Sequence, residues 1–543
     1  MLDLTFNSIA NMKRNITLYL PIFALISFLT LGSCDRFLDS VPKDFLSPEN
    51  YYENEEQINF ALNGVYDVLG NRSMYGDVLI SRMGTEADEG FYAVSTFRGP
   101  QVYDFSSSDP YVTNLWKILY DGINRANMVI GYIDKPELSS ENRANILGQA
   151  KFLRAYYYFL LVSNWGSVPL ITNISLPAEN FNARQKSIDE IYAFITKELE
   201  EAEKLLPDAK TVGFGGRVTK SAAQGILARV YLHMAGHPLN DKTKYQDVLT
   251  WSSKLIDGGF HRLNSSYEDI FIKYARDEYD IQESIWEVEF WGNTAGPYRE
   301  GGRVGVNTGI STTNTTIGNT YGFIQVTARL YNSYAEGDLR RDWAIAPWRY
   351  QNVGGVPQET NWQPWPTHTL YQRHVGKWRR KYELVTPKST NDSPQNFPLL
   401  RFSDVLLMYA EAANELNSGP TSKAYEAINR VRRRGYGFDE FTANPLSDLT
   451  GLDYTSFFDE LKKERSRELC FEALRKNDLI RWGVLQSTMT TIADDFQNGT
   501  DIFSSLRYGG LAASNVEEPK HLLLPIPAYE IGLKPYLQPN PGW

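Results

Sequence analysis

Cysteine is scarce in this sequence, with only two among 543 residues. Cys34 follows a long apolar run, and Cys470 lies in the segment RELCFEAL near the other end of the chain. If the Cys34 thiol carries a lipid, as its context indicates below, no intrachain disulfide can form. No motif places a histidine beside Cys470, so we expect a small core residue of a helix there rather than a nucleophile.

The chain is also short of positive charge and of long apolar segments. Lys and Arg number 55 against 65 Asp and Glu, which gives a formal net charge of −10. Because binding to a phosphate backbone needs a basic face, this balance argues against nucleic acid as a partner. Beyond the first apolar run, none is long enough to cross a membrane. The composition predicts a large soluble body, with 13% aromatic residues for its core and for ligand stacking.

The start of the chain has the three parts of a secretory signal. Lys13 and Arg14 form a basic start, the run ITLYLPIFALISFLTL carries no charge, and Gly32 and Ser33 provide a small-residue end. The basic pair directly follows Met12, so we expect translation to start there. A transmembrane anchor is the competing interpretation, but it needs about 20 apolar residues, and this run is short and contains a proline.

The residues LGSC, which end at Cys34, resemble a bacterial lipobox. In that motif the chain is cut just before the cysteine, and the thiol is acylated. Each buried methylene contributes about 0.8 kcal/mol, and one acyl chain holds only marginally, whereas several chains hold a protein on its membrane. We therefore expect residues 1–33 to be a signal peptide and Cys34 to carry the lipid anchor.

Most of the mature chain shows helical periodicity. Apolar residues recur at helical spacing between residues 58 and 69 and between 115 and 133, and further helical segments follow up to 236 and beyond 397. The candidate N-caps are Asn54, Ser187 (with Glu190 as a capping box), Thr219, Ser403 and Thr421. The pattern predicts a mainly α fold of tetratricopeptide-like helix pairs, although no strict 34-residue repeat is readable.

The texture changes between residues 264 and 396, where Gly, Asn, Thr and Trp dominate and ESIWEVEF is strand-like. Long irregular segments in a compact protein are commonly functional. We therefore divide the mature chain into three parts. They are a lipid-anchored leader with a helical scaffold (34–263), a loop-rich insertion with short β elements (264–396), and a C-terminal helical scaffold with a packed tail (397–543).

Several stretches together resemble the SusD/RagB family of Bacteroidetes outer-membrane lipoproteins. The matching stretches are CDRFLDSVP after the lipobox, AKFLRAYYYFLLVSNWGSVPLI, RVTKSAAQGILARVYL, LLRFSDVLLMYAEAANEL, ERSRELCFEALRKNDLIRWG and the terminal QPNPGW. They occur in the family's order and cover nearly the whole chain. One departure is Ala473, where the family usually has glycine.

The resemblance implies a fold, a location and a role. The expected fold is a helical scaffold with four tetratricopeptide-like helix pairs, and the expected location is the outer membrane, with the lipid holding the protein at the cell surface. The expected role is to bind an oligosaccharide and deliver it to a SusC-like TonB-dependent transporter, with no catalysis and no cofactor. Three alternatives stay open: capture of a peptide, an anchored glycosidase, and a purely structural partner that seals the transporter barrel.

Ligand contacts are expected from aromatic residues on loops, because sugar rings present flat C–H faces to which aromatic rings adhere. In relatives the site comes from the loop after the first helices and from the long insertion, which match residues 82–105 and 290–302 here. The candidate ligand-binding residues from these stretches are Asp88, Phe91, Tyr92, Phe97, Arg98, Trp291, Asn293, Tyr298 and Arg299. Trp348, Trp362 and Trp365 form a second set, which we assign to the insertion's own core.

One cluster of charges has a simple structural explanation. Arg465, Glu468, Glu472 and Arg475 share one face of a predicted long helix, SFFDELKKERSRELCFEALRKNDLIRWG. Opposite charges at these spacings stabilise a helix by about 0.2–0.5 kcal/mol per pair. We therefore assign these residues to the scaffold rather than to acid/base chemistry.

Two further pairs are weak candidates for chemistry. His233 and His237 stand four residues apart, but a metalloprotease motif would need glutamate where Met234 stands. Glu287 and Glu289 share a strand face, yet with 65 acidic residues the sequence nominates no carboxylate pair for glycoside hydrolysis. We therefore expect no catalytic residue and no metal site.

Overall fold

The computed structural model describes residues 51–84, 86–174, 183–294 and 301–543. The predicted signal peptide, Cys34, Tyr298 and Arg299 lie outside these residues. The helices are α1 (Glu55–Gly70), α2 (Val78–Ser81), α3 (Pro110–Gly131), α4 (Ser140–Trp165), α5 (Ile188–Leu205), α6 (Ala209–Val212), α7 (Lys220–Ala235), α8 (Tyr245–Asp257), α9 (Tyr267–Arg276), α10 (Val304–Thr308), α11 (Ala328–Ser333), α12 (Arg340–Ala344), α13 (Phe402–Asn417), α14 (Ser422–Gly435), α15 (Tyr454–Leu469), α16 (Arg475–Arg481), α17 (Leu485–Asn498), α18 (Leu511–Asn515) and α19 (Ala528–Leu533).

The long helices pack in succession and form the scaffold. Helix α1 packs on α3, α3 on α4, α4 on α5, α5 on α7, and α7 on α8; α8 then contacts α13, which joins α14 and α15. Helix α4 lies in the interior, where Tyr156, Tyr157, Tyr158 and Trp165 are buried. This arrangement confirms the predicted mainly α fold with tetratricopeptide-like helix pairs.

Most of the predicted helix caps are confirmed. The side chains of Asn54, Thr219 and Thr421 accept hydrogen bonds from backbone N–H groups of the first turn, and Ser187 forms the predicted capping box with Glu190. Such a cap stabilises a helix by about 1 kcal/mol. The prediction for Ser403 is wrong, because helix α13 begins one residue earlier and Ser403 is buried within its first turn.

The strands are short and pair two by two. They are β1 (Gly90–Tyr92), β2 (Val168–Pro169), β3 (Gln185–Lys186), β4 (Ser284–Val288), β5 (Ile324–Val326), β6 (Trp348–Val353), β7 (Val356–Asn361) and β8 (Phe397–Arg401). All four pairs, β1–β5, β2–β3, β4–β8 and β6–β7, are antiparallel. Between β4 and β8 lie short helices, strand β5, the β6–β7 hairpin and loops. The helix α9 precedes β4, in a region that the sequence predicts to be rich in loops.

The second set of tryptophans divides between core and surface. Trp348 is buried and packs with Ile310 and Ala346. Trp362 is half-buried, and Trp365 is 45% exposed with its ring 5.3 Å from that of Phe503. Only part of this set therefore covers the insertion's own core.

The predicted long helix near the end of the chain is wrong, because the chain breaks between Leu469 and Arg475. The break contains two non-glycine residues in the left-handed region, Phe471 (φ 60°) and Ala473 (φ 59°). An L-residue pays about 1–2 kcal/mol for this conformation relative to the right-handed one, which explains why glycine is favoured at such a position. Cys470 lies at the end of α15 and is fully buried, and burial raises the pKa of its thiol to about 12.

The charged residues around this break form buried ion pairs between elements, not pairs along one helix face. Glu468 accepts hydrogen bonds from Arg340, Arg401 and Arg434 at 3.1, 2.8 and 2.5 Å. Burial alone would raise the pKa of Glu468, but the three guanidinium groups hold it below its usual range. Arg465 likewise bridges α13 and α16. The pair between Arg340 and Glu468 joins α15 to the insertion. Among the described residues, no helix is both long enough and apolar enough to span a membrane.

Candidate functional site

An aromatic cluster of four residues, Tyr92, Phe97, Tyr321 and Phe323, lies on the loops outside the helix pairs. The Tyr321 and Phe323 rings stack with centroids 5.0 Å apart and an interplanar angle of 4°. Phe323 also stacks on Tyr92 at 5.5 Å, and Phe97 meets Tyr92 edge-on at 5.4 Å. Phe97 and Phe323 are half-buried, and Tyr321 is 46% exposed. The cluster therefore offers ring faces to solvent from a packed base.

Strand pairing brings the two halves of this cluster together. In the β1–β5 ladder Tyr92 pairs with Ile324, and the Ala93 N–H donates to the Phe323 carbonyl at 2.6 Å. Residues far apart in sequence thus become neighbours. Because successive side chains of a strand point to opposite faces, Tyr92 faces the cluster while Phe91 faces inward. Phe91 is buried against Phe496 and Tyr371, so it supports the site from below.

A buried guanidinium lies against the cluster. Arg82 is 9% exposed, and its Cζ is 5.6 Å from the ring centroid of Phe97, 5.8 Å from Tyr92 and 4.8 Å from Tyr111. Its Nε and Nη1 atoms and the Tyr92 hydroxyl are buried, and none of the three has a hydrogen-bond partner within the described part of the chain. Burial raises the pKa of Tyr92 to about 12, so its hydroxyl stays protonated at neutral pH. Cation–π contacts of this kind are worth about 0.5–2 kcal/mol and help hold the rings in place.

The rim of the cluster carries amide groups. The Tyr321 hydroxyl donates to Asn391 Oδ1 at 3.1 Å, and the neighbouring Asn319 side chain donates to the Thr390 carbonyl at 2.9 Å. Asn293 donates to the Pro387 carbonyl at 2.7 Å, so the 291–294 segment and Tyr321 both contact the loop 387–391. Trp291 is 51% exposed at the start of that segment.

The charged candidates Asp88 and Arg98 lie in two different environments. Asp88 makes a two-point ion pair with Arg475, with both nitrogen–oxygen distances at 2.7 Å. It is therefore occupied with the scaffold rather than free for a ligand. Arg98 pairs with Asp104 at 2.9 Å, and both side chains remain more than half exposed at the edge of the cluster.

Within the described ranges, no group of three or more His, Cys, Asp or Glu side chains could hold a metal ion. His233 is half-buried, with its ring 4.9 Å from that of Phe159, and desolvation lowers its pKa to about 3. Glu287 is 1% exposed and accepts a hydrogen bond from Ser284, whereas Glu289 is exposed. Burial raises the pKa of Glu287 to about 8. The two carboxyl groups thus differ in environment, although they stand only two residues apart.

Sequence reasoning missed Arg82, Tyr321, Phe323 and Asn391. Arg82 is the first residue of the segment 82–105, but a single arginine in a sequence does not indicate a binding site. The segment TYGF, with two rings flanking a glycine after a polar run, is the pattern that could have pointed to Tyr321 and Phe323. Their place in the cluster depends on the β1–β5 pairing, which the sequence does not indicate.

These features define a class of protein: a scaffold of helix pairs that displays an aromatic surface on loops. Two family models match the chain, one described as the SusD family over residues 282–543 and one described as starch-binding associating with outer membrane over residues 36–232. The crystal structure of a SusD homolog from Bacteroides thetaiotaomicron is 30% identical, with a TM-score of 0.84, and the match covers 91% of this chain and 98% of that one. The chain belongs to the SusD/RagB family.

Two other comparisons agree with this assignment. A SusD-like protein of Formosa agariphila is 27% identical, over 96% of this chain and 97% of that protein. A laminarin-binding SusD-like protein shares the fold with a TM-score of 0.70 at 23% identity, over 91% of this chain and 100% of that one. At this level of identity the second likeness supports the fold alone.

Proposed function

We propose that this protein is a surface-exposed outer-membrane lipoprotein that binds an oligosaccharide at the aromatic cluster and delivers it, uncleaved, to a SusC-like TonB-dependent transporter. The observation that carries the proposal is the exposed ring of Tyr321, stacked on the half-buried Phe323 beside Phe97, with amide groups at the rim. Rings of this kind adhere to the C–H faces of a sugar, and amides pair with its hydroxyl groups. The names of the family model and of glycan-binding relatives support the same ligand class.

The remaining parts of the proposal have separate support. The lipobox ending at Cys34 supports the anchor, and Trp291 and Asn293 extend the proposed binding surface along the loop 387–391. Tyr298 and Arg299 stay part of the proposal on sequence grounds alone. Arg98 contributes an exposed guanidinium at the rim.

Calorimetric titration of the mature chain from residue 35 tests the ligand class. The panel is laminarin, soluble starch, xyloglucan and polygalacturonate, each as polymer and as hexasaccharide, with a mixture of casein peptides as the alternative. We expect at least one glycan to bind and to be recovered intact after long incubation. Binding of the peptides alone would favour peptide capture, and release of shortened products would favour a glycosidase.

Two substitutions test the place of binding. Tyr321→Ala and Phe97→Ala are each expected to weaken glycan binding about 5- to 10-fold, because an aromatic contact contributes about 1 kcal/mol. Tyr529→Ala is the matched control, since this tyrosine is 68% exposed on α19, outside the aromatic cluster. Unchanged affinity in both cluster variants would contradict the proposed site. For the anchor, Cys34→Ala should release the protein from the membrane fraction.

A further inference from the structure

A second candidate site lies along helix α1 and the end of strand β4. Two adjoining cavities of about 700 and 350 Å³ share Asn63 and Arg217 as lining residues. Each falls within the range of about 300–1,000 Å³ that is usual for small-molecule sites. We call this pair of cavities the α1 groove. None of the four aromatic-cluster residues lines it.

Arg217 lines both cavities, and its side chain is half-exposed. Its guanidinium lies 4.4 Å from the ring centroid of Tyr66, and Nη2 donates to Asn63. No carboxylate among the described residues lies within ion-pair distance of it. The Tyr66 hydroxyl is fixed by Gln149 at 2.7 Å and by the Val218 N–H at 3.1 Å. The groove thus holds a half-exposed, rigidly supported fork of N–H donors.

Carboxylate and ring groups complete the chemistry of the α1 groove. Glu289 is exposed there and accepts a hydrogen bond from the Tyr279 hydroxyl at 2.6 Å. A Cβ atom at Gly216 would lie 2.1 Å from the Glu289 carboxyl carbon, so a larger residue there would displace this carboxylate from its present position. Phe214 lines the smaller cavity, and its ring lies 5.9 Å from that of Tyr279, just outside the groove; the two side chains are 36% and 40% exposed.

This combination of groups matches one class of ligand. A guanidinium donates to, and a carboxylate accepts from, the adjacent hydroxyl groups of a sugar, while exposed rings contact its C–H face. An apolar ligand would leave these polar groups unpaired, and a strongly anionic one would meet Glu289. A chain of contacts links the groove to the first site. Arg72 lines the groove and pairs with Asp392, and the adjacent Asn391 accepts a hydrogen bond from the Tyr321 hydroxyl.

We propose that the α1 groove is a second oligosaccharide-binding site, which adds to the affinity for long glycan chains. This inference rests on the proposed function, because it needs a glycan ligand. Two linked sites on one chain turn the second contact into an intramolecular event, so avidity exceeds the affinity of either site. Short chains should therefore occupy the two sites independently, and long chains should bind more tightly than short ones.

The experiment uses the glycan of the panel that binds the mature chain most tightly, as hexasaccharide and as polymer. We expect a stoichiometry of two hexasaccharides per protein, which falls to one in the groove variant Arg217→Met/Glu289→Gln. In Tyr321→Ala, one of the two hexasaccharides should bind about 5- to 10-fold more weakly. The groove variant should also bind the polymer at least tenfold more weakly. Arg143→Met, a substitution of another partly exposed arginine, on the surface of α4, is the matched control and should change neither value.

The outcomes separate the two proposals. One hexasaccharide per wild-type protein, with polymer affinity unchanged in the groove variant, would overturn the second site and leave the first intact. Complete loss of hexasaccharide binding in the groove variant, with unchanged binding in Tyr321→Ala, would overturn the first site alone. Hydrogen exchange adds an independent readout, since glycan should slow exchange in residues 212–219 of the wild type. If no glycan of the panel binds, both proposals fail.

Discussion

Replacing Asp88 by asparagine tests how the aromatic cluster is held in place. Asp88 lies two residues before β1, in a short acidic segment. The C-terminal scaffold binds this segment through two ion pairs and one hydrogen bond. Its carboxylate pairs with Arg475, Glu86 pairs with Lys476 at 2.7 Å, and Glu89 accepts from the Phe471 N–H at 3.2 Å. We therefore regard Asp88 as a positioning residue for the strand that carries Tyr92.

The expected loss of stability follows from the burial of this ion pair. Breaking a fully buried pair by removing one partner costs about 3–5 kcal/mol. Here the side chains of Asp88 and Arg475 are 14% and 10% exposed, and the pair lies beside an open cavity. Asparagine also retains one acceptor oxygen for Arg475. We accordingly expect Asp88→Asn to lower the free energy of unfolding by about 2–3 kcal/mol.

Urea unfolding of the mature chain, followed by circular dichroism, measures this loss. The matched control is Asp104→Asn, which breaks the pair with Arg98, where both side chains are more than half exposed. Exposed pairs contribute about 0–1 kcal/mol, so the control should unfold close to the wild type. Glycan affinity should fall with Asp88→Asn even below the unfolding transition. An unchanged unfolding midpoint for Asp88→Asn would refute the positioning role.

Three further predictions concern the break between α15 and α16 and the segment it contacts. Ala473→Gly should stabilise the protein by up to about 1 kcal/mol in urea unfolding, because φ is 59° there, and Ala473→Val should destabilise it. The Cys470 thiol, with its pKa raised by burial to about 12, should resist thiol reagents at pH 8 until urea unfolds the protein; rapid labelling of the native state would contradict its burial. Burial also raises the pKa of Glu89 to about 8, above its unfolded value, so the folded state binds a proton that the unfolded state has lost between these pKa values. The free energy of unfolding of the wild type should therefore fall as pH rises from about 5 to 8, and that of Glu89→Gln should fall less. Equal pH dependence of the two proteins would contradict the raised pKa.

Local signals in the sequence account for much of the scaffold. The capping box at Ser187 and Glu190 and the caps at Asn54, Thr219 and Thr421 mark helix starts, because each satisfies backbone N–H groups within one turn. The N-cap predicted at Ser403 is wrong because strand β8 runs directly into α13. Ser403 therefore lies buried inside the first turn of the helix and not in front of it.

Long-range contacts account for most of what could not be predicted. Residues 465–475 have the spacing of one continuous helix face, but Glu468 is held by three arginines from other elements. The energy of such a buried network depends on partners that are distant in sequence, so spacing along one segment carries no information about it. The break at Phe471 is likewise set by tertiary contacts, including the bond from its N–H to Glu89.

The candidate site was only partly predictable for the same reason. The resemblance directed attention to residues 82–105, which contain Tyr92 and Phe97, but it did not distinguish ligand-facing from inward-facing positions. Phe91 and Tyr92 are adjacent and chemically alike, and only the β1–β5 ladder assigns them to opposite faces. Tyr321 and Phe323 enter the site through that ladder as well.

The contacts that stabilise this architecture are separate from the exposed rings of the proposed site, and this separation would allow one scaffold to display different ligand surfaces. Lys377 of the insertion donates to the Glu468 and Cys470 carbonyls and pairs with Glu472, all in the interior. Tyr321, by contrast, has nearly half of its surface exposed and makes its polar contact with an exposed loop residue. A change at Tyr321 should therefore alter affinity with little effect on unfolding, whereas a change at Asp88 should alter both. Because the interior network fixes the loops without using their exposed side chains, those side chains are free to vary with the ligand.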